Sequence, residues 1–244
     1  MRMIIAMFLV MIGTSCLQAQ PAKDTADFVV LELFTSEGCA SCPPAELLME
    51  KVQREYAGKN VYVLCYHVDY FNRQGWRDPY SDAAYSRRQE MYDTLFNHEV
   101  YTPQLVINGG RQTKGYDASA VYGAIRKLEK STAKMPGIQA SAMAVGSKIR
   151  VSYTLKGSYP GQLLRIVLVQ KEGGQKVTAG ENAGRKLHHV QIVRAVATAA
   201  ARDGSLDMEL PEGTDPASAE LVFLVQPLHG GLVSAAAACA IGAG

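Results

Sequence analysis

The sequence predicts an α/β domain at the amino end and an all-β domain after it. Between residues 28 and 130, short β-rich runs alternate with amphipathic helical segments, a pattern typical of a sheet flanked by helices. After residue 135 only strand-like runs follow, and glycine-containing turn dipeptides separate them. We therefore place the boundary near residue 134, where a Met-Pro-Gly sequence follows.

The α/β domain is assigned to residues 27–133, with a helical insertion over residues 70–99. In chain order, the predicted elements alternate between strand and helix over residues 28–34, 45–56, 61–68, 81–96, 105–108 and 118–130. Helices between successive strands predict parallel pairing with right-handed crossovers, and the whole domain is expected to be a mixed sheet with flanking helices.

The all-β domain is assigned to residues 135–244. Its predicted strands lie at residues 149–155, 163–169, 190–196, 206–210 and 221–225, and the alanine-rich end can supply a last one. Short strands at this spacing predict an antiparallel sandwich of roughly seven strands.

The composition describes a globular protein and excludes some partners. Of 244 residues, 48% are hydrophobic and 20% are charged, which is sufficient for a large core. The formal charge is only +2 and there is one tryptophan, so we expect no nucleic-acid partner.

The amino end is typical of a secretory signal. Arg2 precedes an unbroken apolar run over residues 3–12, which is too short to span a bilayer. We predict a signal peptide over residues 1–19, an exported periplasmic or extracellular protein, and no membrane span in the mature chain. The alternative is a lipoprotein anchored through Cys16.

Two cysteines with redox spacing follow the first predicted strand. Cys39 and Cys42 are three positions apart at a predicted helix start, and Thr102-Pro103 precedes the third strand. Thioredoxin-like folds hold such a Thr-Pro against a dithiol, so the α/β domain is predicted to be thioredoxin-like. A cis peptide bond before Pro103 would let this backbone position a substrate chain, with Thr102 beside it. Taken alone, the dipeptide is more typical of an ordinary turn before a strand, since few X-Pro bonds are cis.

The helix start favours Cys39 as the nucleophile. Free amides and the positive end of the helix dipole stabilise a thiolate there, and Cys42 would then resolve the mixed disulfide. Glu37 and Glu46 flank the motif, and their charges oppose a thiolate, so we expect only a moderately lowered pKa. The only redox group we expect is this disulfide, with no separate cofactor and no metal.

Glu32 lies inside the first strand, where a carboxylate is costly to bury unless it has a partner or a task. One interpretation is that Glu32 takes the proton from Cys42 during resolution. The other is that it lies at a wet edge or pairs with a cation.

His67 and Asp69 close the second strand, and Trp76 follows in the insertion. These side chains are expected to shape the pocket or carry protons, although a structural hydrogen bond explains them equally well. A metal site made of His67, His98 and the two motif cysteines lacks a second close ligand pair. Cys65 and Cys239 are expected to be inert core residues.

Five segments together resemble a known family. They are residues 32–45, 66–70, 75–79, 100–104 and 180–185. With them the chain resembles the secreted thioredoxin-like family catalogued as domain of unknown function 1223. The resemblance implies a thioredoxin-like domain with its dithiol at Cys39 and Cys42, followed by a β domain, and it supplies no substrate.

These observations lead to the expectation of an extracytoplasmic thiol–disulfide oxidoreductase whose partners are protein thiols, protein disulfides or a redox protein. Two alternatives remain open. The first is a secreted binding or assembly protein with a structural Cys39–Cys42 bridge, and the second is a copper carrier that uses the same thiols.

Overall fold

The computed structural model of the protein describes residues 28–98, 100–129 and 137–244. The predicted signal peptide, Cys16 and the predicted boundary near residue 134 lie outside the described residues. The assignment of residues 27–133 and 135–244 to separate domains stays a prediction.

Eleven strands and three α-helices make up the described chain. In order they are β1 (Val29–Thr35), α1 (Pro43–Glu55), β2 (Val61–His67), α2 (Ala83–Asp93), β3 (Gln104–Ile107), β4 (Arg111–Lys114), α3 (Ala118–Glu129), β5 (Ile138–Val145), β6 (Lys148–Leu155), β7 (Gln162–Lys176), β8 (Lys186–Ala200), β9 (Gly204–Glu209), β10 (Ala219–Pro227) and β11 (Ala235–Gly242). Short 3₁₀ turns lie at Asn72–Gln74 and Pro216–Ser218.

All the strands belong to one mixed sheet, in the order β4-β3-β1-β2-β8-β7-β10-β11-β5-β6-β9. The predicted thioredoxin-like α/β domain followed by a β-sandwich is therefore wrong as a fold class. The reason is that β2 is not an edge: it pairs in parallel with β8, through Cys65 and Ile192, and this joins the two halves of the chain. Moreover, β3 pairs antiparallel with β1, so among β1, β2 and β3 the predicted parallel pairing occurs only between β1 and β2.

Strand β1 is buried on both faces, and its side chains point alternately towards α1 and α3 on one face and towards α2 on the other. Leu31 and Leu33 pack with buried residues of α1 and α3. Val30 and Phe34 point the other way and pack with tyrosines of α2. Odd-numbered side chains of β1 therefore face α1, and even-numbered side chains face α2.

Strands β7 and β8 form a long hairpin of 15 residues a strand, paired from Leu163 with Ala200 to Lys176 with Lys186. Residues 177–185 connect them, and we call this connection the capping loop. It reaches the segment between β1 and α1, so the second half of the chain contributes to the neighbourhood of the two motif cysteines.

Candidate functional site

The two motif cysteines form a disulfide where β1 passes into α1. Cys42 is the residue before the first turn of α1, and prolines occupy the first two helical positions, where a missing N–H costs nothing. Ala40 and Ser41 between the cysteines are exposed, yet Cys39 is only 2% exposed and Cys42 is fully buried. The disulfide is therefore at a helix start, as predicted, but it is covered.

The capping loop covers the disulfide from one side. Asn182 is fully buried, and its Nδ2 donates hydrogen bonds to the carbonyl oxygens of Glu37, at 2.8 Å, and Cys39, at 2.9 Å. A second contact lies at the surface, where the N–H of Ala40 donates to Oε2 of Glu181 at 3.0 Å. One amide side chain thus ties the loop to the backbone on which the disulfide is built.

The connection between β2 and α2 covers the same segment from another side. A methyl group added to Gly38 would lie 2.9 Å from Cβ of Phe71, so only glycine allows this close approach. The indole Nε1 of Trp76 donates to Oε2 of Glu37 at 2.7 Å. Trp76 therefore contacts the motif segment, although through a carboxylate and not through a cysteine.

A cluster of buried ionisable side chains lies on the α1 side of the sheet, next to the disulfide segment. Its five members are between 0% and 6% exposed, and we call them the His–carboxylate cluster: Glu37, Glu46, His67, Asp78 and His189. The strand register explains their convergence. Thr35 pairs with His67 across β1 and β2, Thr35 donates to Glu46 at 2.5 Å, and Glu46 lies in the first turn of α1.

His189 is held between two carboxylates. Its Nδ1 contacts Oε2 of Glu46, and its Nε2 contacts Oε1 of Glu37 at 2.9 Å. A carboxylate only accepts hydrogen bonds, so this arrangement requires a proton on each ring nitrogen or on a carboxyl group. Although burial opposes the imidazolium, the two carboxylates raise the pKa of His189 to about 10. The imidazolium in turn outweighs burial and lowers the pKa of Glu46.

His67 pairs with Asp78 through Nδ1 and Oδ2, at 2.7 Å, and both side chains are buried. Asp78 also accepts from the backbone N–H groups of Glu37 and Tyr80, each at 2.9 Å. Contacts from His67 and these amides lower the pKa of Asp78 against the opposing effect of burial. Nε2 of His67 is buried and has no hydrogen-bond partner among the described residues.

Glu32 lies on the other face of the sheet from this cluster. Its Oε2 accepts from Nε of Arg88 at 2.5 Å, and its Oε1 accepts from the hydroxyl of Tyr92 at 2.6 Å. Both partners belong to α2, whereas the disulfide precedes α1. The interpretation that pairs Glu32 with a cation therefore matches its surroundings. Its role in proton transfer stays a prediction that these contacts do not favour.

The Thr102–Pro103 peptide bond is cis, as expected, and Pro103 is buried while Thr102 is half-buried. A Cβ on Gly115 would lie 2.9 Å from Cβ of Ala45 and 3.3 Å from Cβ of Pro103. Pro103 is therefore a close neighbour of the first turn of α1, three residues beyond Cys42.

Asp69 is engaged away from the disulfide, since its Oδ1 accepts from the hydroxyl of Ser86 in α2 at 2.5 Å. Cys65 and Cys239 are buried free thiols, and burial raises the pKa of each. They form no bridge with each other.

Sequence reasoning missed the roles of Glu46, Asp78 and His189. From the sequence, Glu46 is only a flanking anion, although its position four residues after Cys42 on an amphipathic helix is compatible with an inward side chain. The signal for His189 is the His188-His189 dipeptide in a strand, because neighbouring side chains point to opposite faces; His188 is exposed and His189 is buried.

Comparison with known proteins identifies the family. The sequence profile of the family described as Protein of unknown function (DUF1223) matches residues 30–226, and the chain belongs to this family. No curated protein matches the chain.

Two solved structures are similar to this one. The X-ray crystal structure of a structural-genomics target from Agrobacterium tumefaciens has a TM-score of 0.66 and 25% identity, over 89% of this chain and 96% of that one. HBP35 of Porphyromonas gingivalis has a TM-score of 0.57 and 17% identity, over 90% of this chain and 77% of that one. The second likeness concerns the fold alone. Within the described residues, none of the helices has the length and apolar character needed to cross a membrane.

Proposed function

We propose that this chain is an exported thiol–disulfide oxidoreductase whose redox centre is the Cys39–Cys42 disulfide. The observation that carries the proposal is the position of this disulfide at the start of α1, beside Pro103 and the His–carboxylate cluster. A helix start stabilises the thiolate that forms when the bond opens. A disulfide also persists best outside the cytoplasm, in the periplasm or the extracellular space.

The proposed reaction is an exchange with a partner protein that carries two thiols. A partner thiolate attacks Cys39, the Cys39–Cys42 bond breaks, and the sulfur of Cys42 leaves as a thiolate that takes up a proton. The second partner thiol then displaces Cys39, so the partner becomes a disulfide and this chain receives two electrons and two protons. The reverse sequence oxidises this chain and reduces the partner.

The His–carboxylate cluster is the proposed proton reservoir for this exchange. The backbone N–H of Glu46 donates to the carbonyl oxygen of Cys42 at 3.2 Å, so the cluster begins one helical turn from the resolving cysteine. The buried carboxylates oppose a thiolate more than the imidazolium of His189 favours it. We therefore expect a reduction potential nearer thioredoxin's value of about −270 mV than the value of about −120 mV of a strong oxidant.

The burial of the disulfide favours a second candidate function. With Cys39 only 2% exposed and Cys42 fully buried, the bridge is protected as a structural disulfide would be. In this alternative the chain binds a partner through another surface, and the disulfide only holds the start of α1 against β1.

Trapping of a mixed disulfide separates the two functions. A Cys42→Ser variant leaves Cys39 able to attack a disulfide substrate but unable to release it, so a covalent complex should accumulate with a disulfide-containing peptide. Cys39→Ser should trap far less, and Cys65→Ala, which changes a buried free thiol, should react like the unmodified protein. If Cys42→Ser forms no adduct even when the capping loop is loosened by Asn182→Ala, the redox proposal fails and the structural bridge is supported.

A further inference from the structure

The two ring nitrogens of His67 differ in their surroundings. Nδ1 contacts Asp78, at 2.7 Å, while Nε2 is buried and has no hydrogen-bond partner in the part of the chain that the structure describes. Buried polar atoms are nearly always satisfied, so an orphaned ring nitrogen needs a reason. A histidine with one nitrogen on a carboxylate and the other free has the arrangement of a metal ligand, because the carboxylate fixes the ring and raises its basicity.

Two further donors lie beside this ring. One ligand atom each of Glu46, His67 and His189 lies within 4.8 Å of the other two, and all three residues are buried. The rings of His67 and His189 are nearly perpendicular, with centroids 4.8 Å apart. Because ligands about 2.1 Å from an ion are roughly 3.4 Å from one another, these side chains need to draw together by up to about 1.4 Å.

We propose that Glu46, His67 and His189 bind one divalent transition-metal ion of the zinc class. Two imidazoles and one carboxylate suit zinc, cobalt or nickel, whereas magnesium and calcium prefer oxygen ligands alone. The ion takes the place of the contact between His189 and Glu46 and displaces the proton that this contact holds, since only a neutral ring nitrogen binds a metal. Asp78 acts as a positioning residue that orients His67.

The charge balance of the His–carboxylate cluster supports a cation. Among the described residues, its three carboxylates contact the side chains of the two histidines, Thr35, Trp76 and Gln175, and no lysine or arginine. Burial of three carboxylates is costly unless positive charge compensates them. A dication supplies that charge without using the cysteines, so the proposed metal site does not depend on the proposed redox function.

The test uses the whole protein with its disulfide intact, after treatment with a chelator. Cobalt chloride is added and binding is followed to completion by the visible absorption bands of the ion. The chain has a single tryptophan, Trp76, which donates to Glu37 in the cluster, so its fluorescence gives a second local signal. We expect saturation at one equivalent and displacement of cobalt by zinc.

Variants assign the ligands. His67→Gln and Glu46→Gln should each weaken cobalt binding at least tenfold, and Asp78→Asn should weaken it about tenfold to a hundredfold and alter the spectrum. His188→Gln is the matched control, because His188 is the exposed neighbour of His189. This variant should bind cobalt as the unmodified protein does. Thermal unfolding of each metal-free variant verifies that it is folded.

Three outcomes would overturn the proposal. These are the absence of saturable binding to the oxidised protein, binding that survives both ligand variants, and binding that requires reduction and disappears in a Cys39→Ser/Cys42→Ser variant. The last result would point to a thiol metal site. Because the deciding titration uses the oxidised protein, with the disulfide closed, a failure here leaves the mixed-disulfide test unaffected.

Discussion

Replacement of Asn182 by alanine should expose the disulfide to reductants. The variant loses the two hydrogen bonds that Nδ2 makes to the carbonyl oxygens of Glu37, at 2.8 Å, and Cys39, at 2.9 Å. Each such bond contributes about 0.5–1.5 kcal/mol net, so the uncapped state gains about 2 kcal/mol relative to the capped state. This corresponds to a roughly 30-fold larger uncapped population.

The assay measures the rate at which dithiothreitol reduces the disulfide in the absence of denaturant. Samples are quenched at intervals, the free thiols are alkylated, and the reduced fraction is determined by mass spectrometry. Because the disulfide is buried, reduction proceeds through the uncapped state, and the rate should rise by about 10- to 100-fold in Asn182→Ala. Glu181→Ala is the matched control. It removes one exposed contact of 3.0 Å from the same loop, and the rate should rise less than about fivefold.

Small amounts of urea distinguish local opening from global unfolding. Local release of a loop exposes little surface, so the accelerated reduction should depend only weakly on urea concentration. If Asn182→Ala is reduced at the rate of the unmodified protein, the capping loop does not control access. If its rate follows global unfolding instead, the loop is part of the cooperative core, and the local-opening explanation is wrong.

Three other predictions concern stability, measured as the free energy of unfolding in urea. The pKa of His189 is raised to about 10, so the stabilising contribution of its proton is complete below pH 6.5 and is lost as the pH rises through 10. The free energy of unfolding should therefore decrease over this range, and His189→Gln should make this decrease smaller. Arg88→Met leaves the carboxylate of Glu32 buried without its cation and should lower the free energy of unfolding by about 3–5 kcal/mol. Adding Glu32→Gln to this variant should restore part of the loss, and equal stability of Arg88→Met and the double variant would contradict this reasoning. Gly109→Ala and Gly58→Ala both place alanine at positive φ, but only at Gly109 does the new Cβ meet a backbone oxygen, at 1.9 Å. Gly109→Ala should therefore lower the free energy of unfolding at least twice as much as Gly58→Ala, and similar losses would count against a steric cause.

The sequence pattern locates most of the elements, but it does not show how the sheet continues. The sequence pattern places α1, α2 and α3 within a few residues of their observed ends. Helices α1 and α3 each bury an apolar face, whereas the buried side of α2 combines two tyrosines with Ser86, Arg88 and Gln89. The contact between β2 and β8 joins residues far apart in the chain through backbone hydrogen bonds, which leave no trace in side-chain pattern. The dipeptide Gly173-Gly174 is one of those typical of a turn between strands, yet it lies inside β7, where a Cβ on Gly174 would meet a backbone oxygen of β8 at 2.2 Å.

The candidate site was predictable where local geometry decides it. Spacing and a helix start predict the Cys39–Cys42 pair, and an X-Pro bond is the usual place for a cis peptide. The acid near the disulfide was not predictable in the same way. A strand buried on both faces does not reveal which face α1 covers. The sequence therefore points to Glu32 as the acid, whereas packing places Glu32 against α2 and Glu46 next to the disulfide segment.

A single hairpin contributes to both the cover and the charge of this site. Its tip carries Asn182, which holds the loop over the disulfide, and its returning strand carries His189, four residues after the loop ends at residue 185. The cover of the disulfide and one histidine of the neighbouring cluster thus lie on one hairpin from the second half of the chain. Reactivity should therefore depend on the second half of the chain as much as on the motif itself.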